Sequence, residues 1–476
     1  MVVRDGPTSR RVRHLALVVL LVLTAGCQPS QPAPQQAYPT PGNRTGVIGA
    51  APYEIDVPRQ WNRTLFLYSH GYVAPTGAPN PAQSASLPVL RAWLLDHHFA
   101  AAGSAYSSTG WAVEDALKDQ MALLDLFTQQ IGAPERVIAW GASLGGLVTA
   151  GLVQLHPERF TAAMPQCGVL AGGVATWNAE LDAAYAFKTL LAPNSDLQLV
   201  HIVDSEANRL LAQQIYIEAQ TTAKGEARLA LVAALIDLPG WFNPLEPEPA
   251  PTDYVARARA QAAWESRVDF AFAFGFRLEL EQRAGGNPSW NVGVDYGRLL
   301  APSPSLDEVK ALYAAAGLDL QADLTRLNAG KRIKADPGAA AYLDRNISFD
   351  GLLQVPVVSM HTTDDGLVIP GNEGAYAQAV AAQGKSEMLR QLFVHRAGHC
   401  AFTPAETIAA IQVQLKRLDS GSWDEGALQP SALNANATRQ GASASQVFGV
   451  TLQPSFADFT PPPYPRPHLK GAPIPA

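Results

Sequence analysis

Short apolar runs alternate with stretches of helical spacing along most of this chain. Thr64-Leu65-Phe66-Leu67-Tyr68, residues 98–105, 136–140 and 160–164 read as strands, and Tyr53, Ile55 and Val57 alternate with polar neighbours as an edge strand would. Glu114 to Ile131 places Leu117, Met121, Leu124 and Phe127 on one helical face, and 144–155 reads as a second helix. From residue 46 to 168 this rhythm predicts an α/β unit, a mostly parallel sheet covered by helices. Between 169 and 349 it gives way to long Ala-rich helical stretches, 207–236 and 252–283, followed by the loop Gly285-Gly286-Asn287-Pro288, which predicts an inserted, mainly helical cap. The α/β rhythm returns over 350–420, with a strand at Val355 to Met360, a helix at 372–383, a strand at 389–395 and a helix at 404–418. Residues 421–476, with Pro461-Pro462-Pro463 and further X-Pro turns, are expected to form a tail draped over the surface or free of it.

The first residues follow another pattern. Arg4, Arg10, Arg11 and Arg13 precede an unbroken apolar run from Leu15 to Leu23, and Thr24-Ala25-Gly26-Cys27 follows. A run this short falls well below the roughly 30 Å needed to span a bilayer, so 1–26 is expected to be a signal peptide. Its end resembles a bacterial lipobox, which implies lipidation of Cys27; ordinary cleaved secretion is the alternative. Residues 27–45 carry five prolines and little apolar bulk, which predicts an extended tether.

Composition narrows the function classes. A chain of 476 residues that is 47% hydrophobic and 16% charged buries a large core and is not disordered. Its net charge of −7, with no dense Lys/Arg run, argues against nucleic acid as a partner. No CxxC pair or HExxH stands in the sequence, so neither a metal nor any other cofactor is expected.

The chemistry centres on Gly141-Ala142-Ser143-Leu144-Gly145, between a predicted strand and a predicted helix. A sharp turn there would lift Ser143 above the sheet edge, with glycines where any side chain would collide with neighbouring backbone. The helix beginning at Leu144 points its first N–H groups at the site, which suits an oxyanion. A serine hydroxyl needs a base, and the base an orienting acid, in the chain order Ser, acid, His. Asp364-Asp365 ends one downstream strand, and His399, after Gly398, follows the next. His361 and His395 read as ordinary polar residues at strand ends.

These motifs resemble those of α/β-hydrolase-fold serine hydrolases. That resemblance implies Asp365 as the acid, because Gly366-Leu367-Val368 and the proline soon after are similar to the stretch that commonly follows it. It implies the backbone N–H of Tyr72, in His70-Gly71-Tyr72, as a second oxyanion donor beside that of Leu144. It also places a lid where the insertion at 169 begins. Cys167 and Cys400 are reminiscent of tannase and feruloyl-esterase proteins, in which a Cys beside the His pairs with one beside the Ser. Here Ala142 stands beside Ser143, so Cys167 and Cys400 are either a disulfide or two buried thiols.

In the cap, Phe270, Phe272, Phe274 and Phe276, with Trp264, Trp290 and Tyr296, are expected mainly in the cap's own core, with some rings facing the catalytic unit. The reaction expected first is hydrolysis of a carboxylic ester, small or polymeric, through an acyl-enzyme. Peptide cleavage of the prolyl-oligopeptidase kind uses the same machinery, and a non-catalytic ligand-binding surface lipoprotein is the reading from another class. The lipid anchor makes a bacterial membrane the second partner, outside the cytoplasm.

Overall fold

The computed structural model describes residues 40–75, 81–447 and 449–475; the leader, Cys27 and most of the tether lie outside them. Gly42–Ile48 (β1) and Ala51–Val57 (β2) form an antiparallel hairpin that turns at Gly49, whose φ of +60° favours a residue without a side chain. β1 is therefore the sheet edge, and β2, expected there from its alternation, is the second strand. The segment expected to remain a tether to residue 45 joins the sheet at Gly42. No residue of β1 is fully buried, so no apolar alternation marked it in the sequence.

Thr64–Ser69 (β3), Ala100–Ser104 (β4), Arg136–Ala142 (β5), Ala162–Gln166 (β6), Val357–Asp364 (β7) and Leu389–Ala397 (β8) are parallel, and the order is β1-β2-β4-β3-β5-β6-β7-β8 with β2 antiparallel to β4. Pro88–Asp96 (α1), Val113–Gln130 (α2) and Leu144–Leu155 (α3) make the crossovers of the first half. Alternation along the strands feeds two cores. Leu65, Leu67, Val137 and Ala139 face α2 and α3, while Phe66, Tyr68, Ile138 and Trp140 pack with Leu90 and Leu94 of α1 on the other face. This is the α/β-hydrolase fold.

After β6 the chain enters Gly173–Leu191 (α4), Ser205–Ala219 (α5), Ala223–Leu235 (α6), Tyr254–Trp264 (α7), Arg277–Ala284 (α8), Tyr296–Leu300 (α9), Leu306–Ala315 (α10), Leu320–Ala329 (α11) and Pro337–Arg345 (α12). The Ala-rich stretch 207–236 is two helices, because the Thr222 hydroxyl accepts the Gly225 N–H at 3.1 Å and starts α6 afresh. The stretch 252–283 is likewise divided, by π-helical segments at Glu265–Asp269 and Phe272–Phe276. The cap has its own core, and Trp177, Leu280 and Trp290 extend into the core beneath the sheet.

Gly371–Ala382 (α13) and Pro404–Ser420 (α14) complete the second half. The C-terminal segment does not hang free. Pro430–Arg439 (α15) buries Leu433 and Ala437, Gln446–Val447 (β9) pairs with Val450–Thr451 (β10), and Phe456–Ala457 (β11) adds to the sheet antiparallel to β8. Tyr464 is buried in the cap core, and the Arg466 guanidinium meets Asp182 of α4 at 2.8 Å. The prolines concealed this role, since a chain without regular elements can still bury single anchor residues. No helix among the described residues is long and apolar enough to cross a membrane.

Candidate active site

β5 ends at Ala142 and α3 begins at Leu144, so Ser143 alone makes the turn, with φ 60° and ψ −125°. A positive φ at a residue with a side chain is costly, and here the surroundings enforce it. The Ser143 N–H is held by the Gln166 carbonyl at 3.0 Å, and the Ser143 carbonyl accepts from Gly146 at 2.8 Å. Both flanking glycines are required: a Cβ on Gly141 would lie 2.4 Å from the Ser69 carbonyl oxygen, and one on Gly145 only 2.0 Å from it. A Cβ on Gly71 would come 3.2 Å from that of Ser143, which places the His70-Gly71-Tyr72 loop alongside the serine.

The sheet order sets β5, β6, β7 and β8 side by side, so Ser143, Cys167, Asp365 and His399 all leave the carboxyl edge together. His399 Nδ1 donates to Asp365 Oδ2 at 2.7 Å. Asp365 is fully buried, and its Oδ1 accepts the N–H groups of Leu367 and Val368, each at 3.0 Å. Its neighbour Asp364 takes the Thr363 hydroxyl instead, and burial pushes the Asp364 carboxyl up to about 6. The bond from Nδ1 leaves Nε2 as the basic nitrogen of His399, whose side chain is one-fifth exposed.

The histidine loop is tied down on both sides. Cys400 is bonded to Cys167, at a Cα separation of 5.4 Å, and Cys167 directly follows the Gln166 that holds Ser143. Arg396 makes two contacts to Glu406, at 2.8 and 3.0 Å, and a third to the Ala401 carbonyl at 2.7 Å. Glu406 also closes the capping box of α14 with Thr403.

Three histidines stand apart from this work. His395 reaches Glu248 and Thr363, and burial lowers the proton affinity of His70, which is stacked on Tyr106. His361, expected to be an ordinary strand-end residue, is fully buried behind Asp365. Its Nδ1 meets the Glu373 carboxylate at 3.1 Å and its Nε2 the Val368 carbonyl at 2.7 Å. Burial alone would lower its pKa, but Glu373 and Asp365 outweigh that and raise it. Sequence reasoning missed this pair because Glu373 lies on α13, twelve residues on.

Ser143 and Leu144 open into a cleft with Tyr72, Trp111, Trp177 and Phe272 as its aromatic walls and Glu180 as its acidic one. The four phenylalanines divide between two faces of their helical segment, as residues two apart on a helix do. Phe270 and Phe274 pack on Phe187 in the cap core, whereas Phe272 and Phe276 meet the Tyr72 ring at 5.0 and 5.6 Å. Trp264 of the cap presses on the acid loop, where a Cβ on Gly366 would lie 2.2 Å from its ring. Among the described residues, the ligand-type atoms that converge belong to Cys167, His399 and Cys400, and its two sulfurs are bonded to each other.

Residues 103–197 match the model of the prolyl oligopeptidase family, Peptidase_S9. The chain is 29% identical over 416 residues to an o-phthalyl amidase of Xanthobacter agilis, covering 80% of this chain and 88% of that one. The chain is a serine hydrolase. Among solved structures it is similar to an esterase from Aspergillus oryzae, with a TM-score of 0.39, 12% identity and coverage of 78% and 77% of the two chains. It is similar also to the acylaminoacyl peptidase of Pyrococcus horikoshii, with a TM-score of 0.34, 10% identity and coverage of 76% of this chain but 37% of that one.

Proposed function

We propose that this hydrolase cleaves a small carboxylic acyl substrate, ester or amide, whose flat apolar group lies between Trp111, Trp177, Tyr72 and Phe272. The observation that carries this reading is the aromatic cleft opening directly on the strained Ser143 turn. Ser143 Oγ attacks the acyl carbon while His399 Nε2 takes its proton, and Asp365 holds the imidazole and offsets its charge. The N–H groups of Tyr72 and Leu144 receive the oxyanion, a contribution of about 10²–10³ in rate per donor. His399 then protonates the departing alcohol or amine. Water, deprotonated by the same Nε2, releases the acid and restores Ser143.

The ester is the first expectation from the sequence, and the amidase relative favours the amide as the second. A panel of benzoyl and phthalyl esters, the matching anilides, long-chain alkyl esters and peptide amides tests this. Aromatic acyl compounds should lead by about tenfold or more, and preference for peptides or long alkyl chains would overturn the proposal. The N-terminal pattern and the disulfide, a bond that persists in oxidising compartments, support an extracytoplasmic enzyme anchored through lipidated Cys27. Intact-protein mass after membrane extraction reads the lipid directly.

A further inference from the structure

The loop that carries Tyr72 is held on its two sides by different parts of the chain. On the side before Tyr72, Gln120 of α2 donates to the Tyr68 carbonyl at 2.6 Å and to the Ser69 hydroxyl at 2.9 Å. The Tyr106 hydroxyl donates to the His70 carbonyl at 3.1 Å, and its ring stacks on that of His70 at 3.9 Å. These anchors belong to the catalytic unit. After Tyr72 the support runs into the cap instead. The Val73 carbonyl accepts the Gly110 N–H at 2.8 Å, an isolated antiparallel bridge to the loop that follows β4. The next N–H of that loop, on Trp111, donates to Glu279 Oε2 of α8 at 2.9 Å.

Glu279 is itself fixed. Arg283, one turn on in α8, donates to Glu279 Oε1 at 2.6 Å and to Asp115 of α2 at 3.0 Å. Its other terminal nitrogen reaches the Thr109 carbonyl at 2.8 Å and the Ser108 hydroxyl at 3.2 Å. The Glu279 and Arg283 side chains are each 17% exposed, so water competes weakly for these bonds. The fit is close: Gly110 has a φ of +80°, and a Cβ there would lie 2.2 Å from the Glu279 carboxyl carbon. Phe276, Glu279 and Arg283 are spaced by three and four and so share one face of the cap helix. From that face the Phe276 ring meets the Tyr72 ring at 5.6 Å. Burial, and after it the Glu279 charge, raises the pKa of the Tyr72 hydroxyl, which sets that charge near the Tyr72 side chain. One face of the cap thus bears on Tyr72 twice, against its ring and through the backbone of Val73.

We propose that Glu279 and Arg283 are positioning residues for the oxyanion hole, so that the cap, through Trp111, Gly110 and Val73, sets where the Tyr72 N–H points. The proposal deepens the hydrolase reading and rests on it. Glu279→Ala frees the Trp111 N–H and the Arg283 guanidinium together. Because a misplacement of about 1 Å can cost about 10² in rate, kcat should fall at least about tenfold, with KM little changed. The test measures 4-nitrophenyl acetate beside 4-nitrophenyl benzoate, together with inhibition by an aryl trifluoromethyl ketone, whose reversible adduct with Ser143 carries the same oxyanion. The kcat loss should be alike for the two esters, and Ki for the ketone should rise by a similar factor. Arg283→Met should show the same pattern more weakly, and it carries the test if Glu279→Ala gives no cooperative urea transition. Unchanged kcat in both variants overturns the proposal. So does a rise in KM confined to the benzoate, which would mean only a displaced Trp111 wall, or a fall in turnover at unchanged Ki, which would mean only less folded enzyme. If wild-type protein turns over neither ester, the hydrolase reading itself has failed.

Discussion

The Nε2 of His361 stands 3.6 Å from the same Asp365 oxygen that accepts the His399 Nδ1–H. Both ring nitrogens of His361 face acceptors, the Glu373 carboxylate and the Val368 carbonyl, and the Glu373 and Asp365 carboxylates raise its pKa, so both bonds are made when both nitrogens carry protons. The expected form is therefore a charged pair behind the acid that orients His399. Replacing His361 by Gln should lower kcat by up to about 10²-fold with little change in KM, the signature of a positioning residue. Long-range ¹H–¹⁵N spectra of the wild-type protein should show both His361 nitrogens protonated at neutral pH, and one bare nitrogen there would contradict the assignment.

The same pair makes stability depend on pH. The pKa of His361 is raised above the ordinary value of 6.5, so its stabilising contribution is complete below that pH and is lost as pH rises through the folded-state value. Wild-type protein should therefore lose its advantage over His361→Gln in urea unfolding as pH climbs from 6 towards 9. An advantage that grows with pH would reverse the sign and exclude the ion pair.

The Cys167–Cys400 disulfide closes a sequence separation of 233 residues, for which chain entropy gives an upper bound of about 5 kcal/mol. Because Cys400 is next to His399, its loss should cost activity as well as stability. The double variant Cys167→Ala/Cys400→Ala should unfold at lower urea and show reduced kcat, and unchanged kcat would mean that Arg396 and Glu406 alone hold the loop.

Glu406 supplies that second restraint. Substituting Ala leaves the buried Arg396 guanidinium without its charge partner and removes the α14 capping box, a loss of about 3–5 kcal/mol. Denaturant titration reads this directly, and a loss below 1 kcal/mol would show that water reaches Arg396.

Phe272 meets the Tyr72 ring and walls the cleft, whereas Phe274 lies in the cap core. Phe272→Ala should raise KM for aromatic esters with modest change in stability, and Phe274→Ala should cost about 3–5 kcal/mol of stability instead. Parallel kinetics and unfolding of the two variants separate the roles.

What the sequence made legible follows from how locally each feature is determined. The Ser143 turn needs only a strand, a helix and two glycines within a few residues, so its position was readable in advance. His399 could be named from its place after Gly398 in the loop beyond a strand, whereas strand position left Asp364 and Asp365 both open and only the family resemblance of the stretch after Asp365 chose between them. His361 with Glu373, and Arg396 with Glu406, join separate elements and carry no local signature. The packing of the tail was hidden for a related reason: it comes in short pieces, α15 with Leu433 and Ala437, the two-residue β11, and single residues such as Tyr464 and Arg466, rather than as one long periodic face. The π-helical turns at Glu265–Asp269 and Phe272–Phe276 were hidden as well, because phenylalanine at every second position has the period of a strand and carries no mark of a π turn.

The central claim is that Ser143 is the nucleophile activated by His399. Labelling with a fluorophosphonate, read by intact mass and peptide mapping, tests it most directly. Wild-type protein should gain one adduct on Ser143, His399→Ala should label far more slowly, and Ser143→Ala should not label. Labelling that persists in Ser143→Ala, or wild-type protein that takes no adduct, would contradict the account.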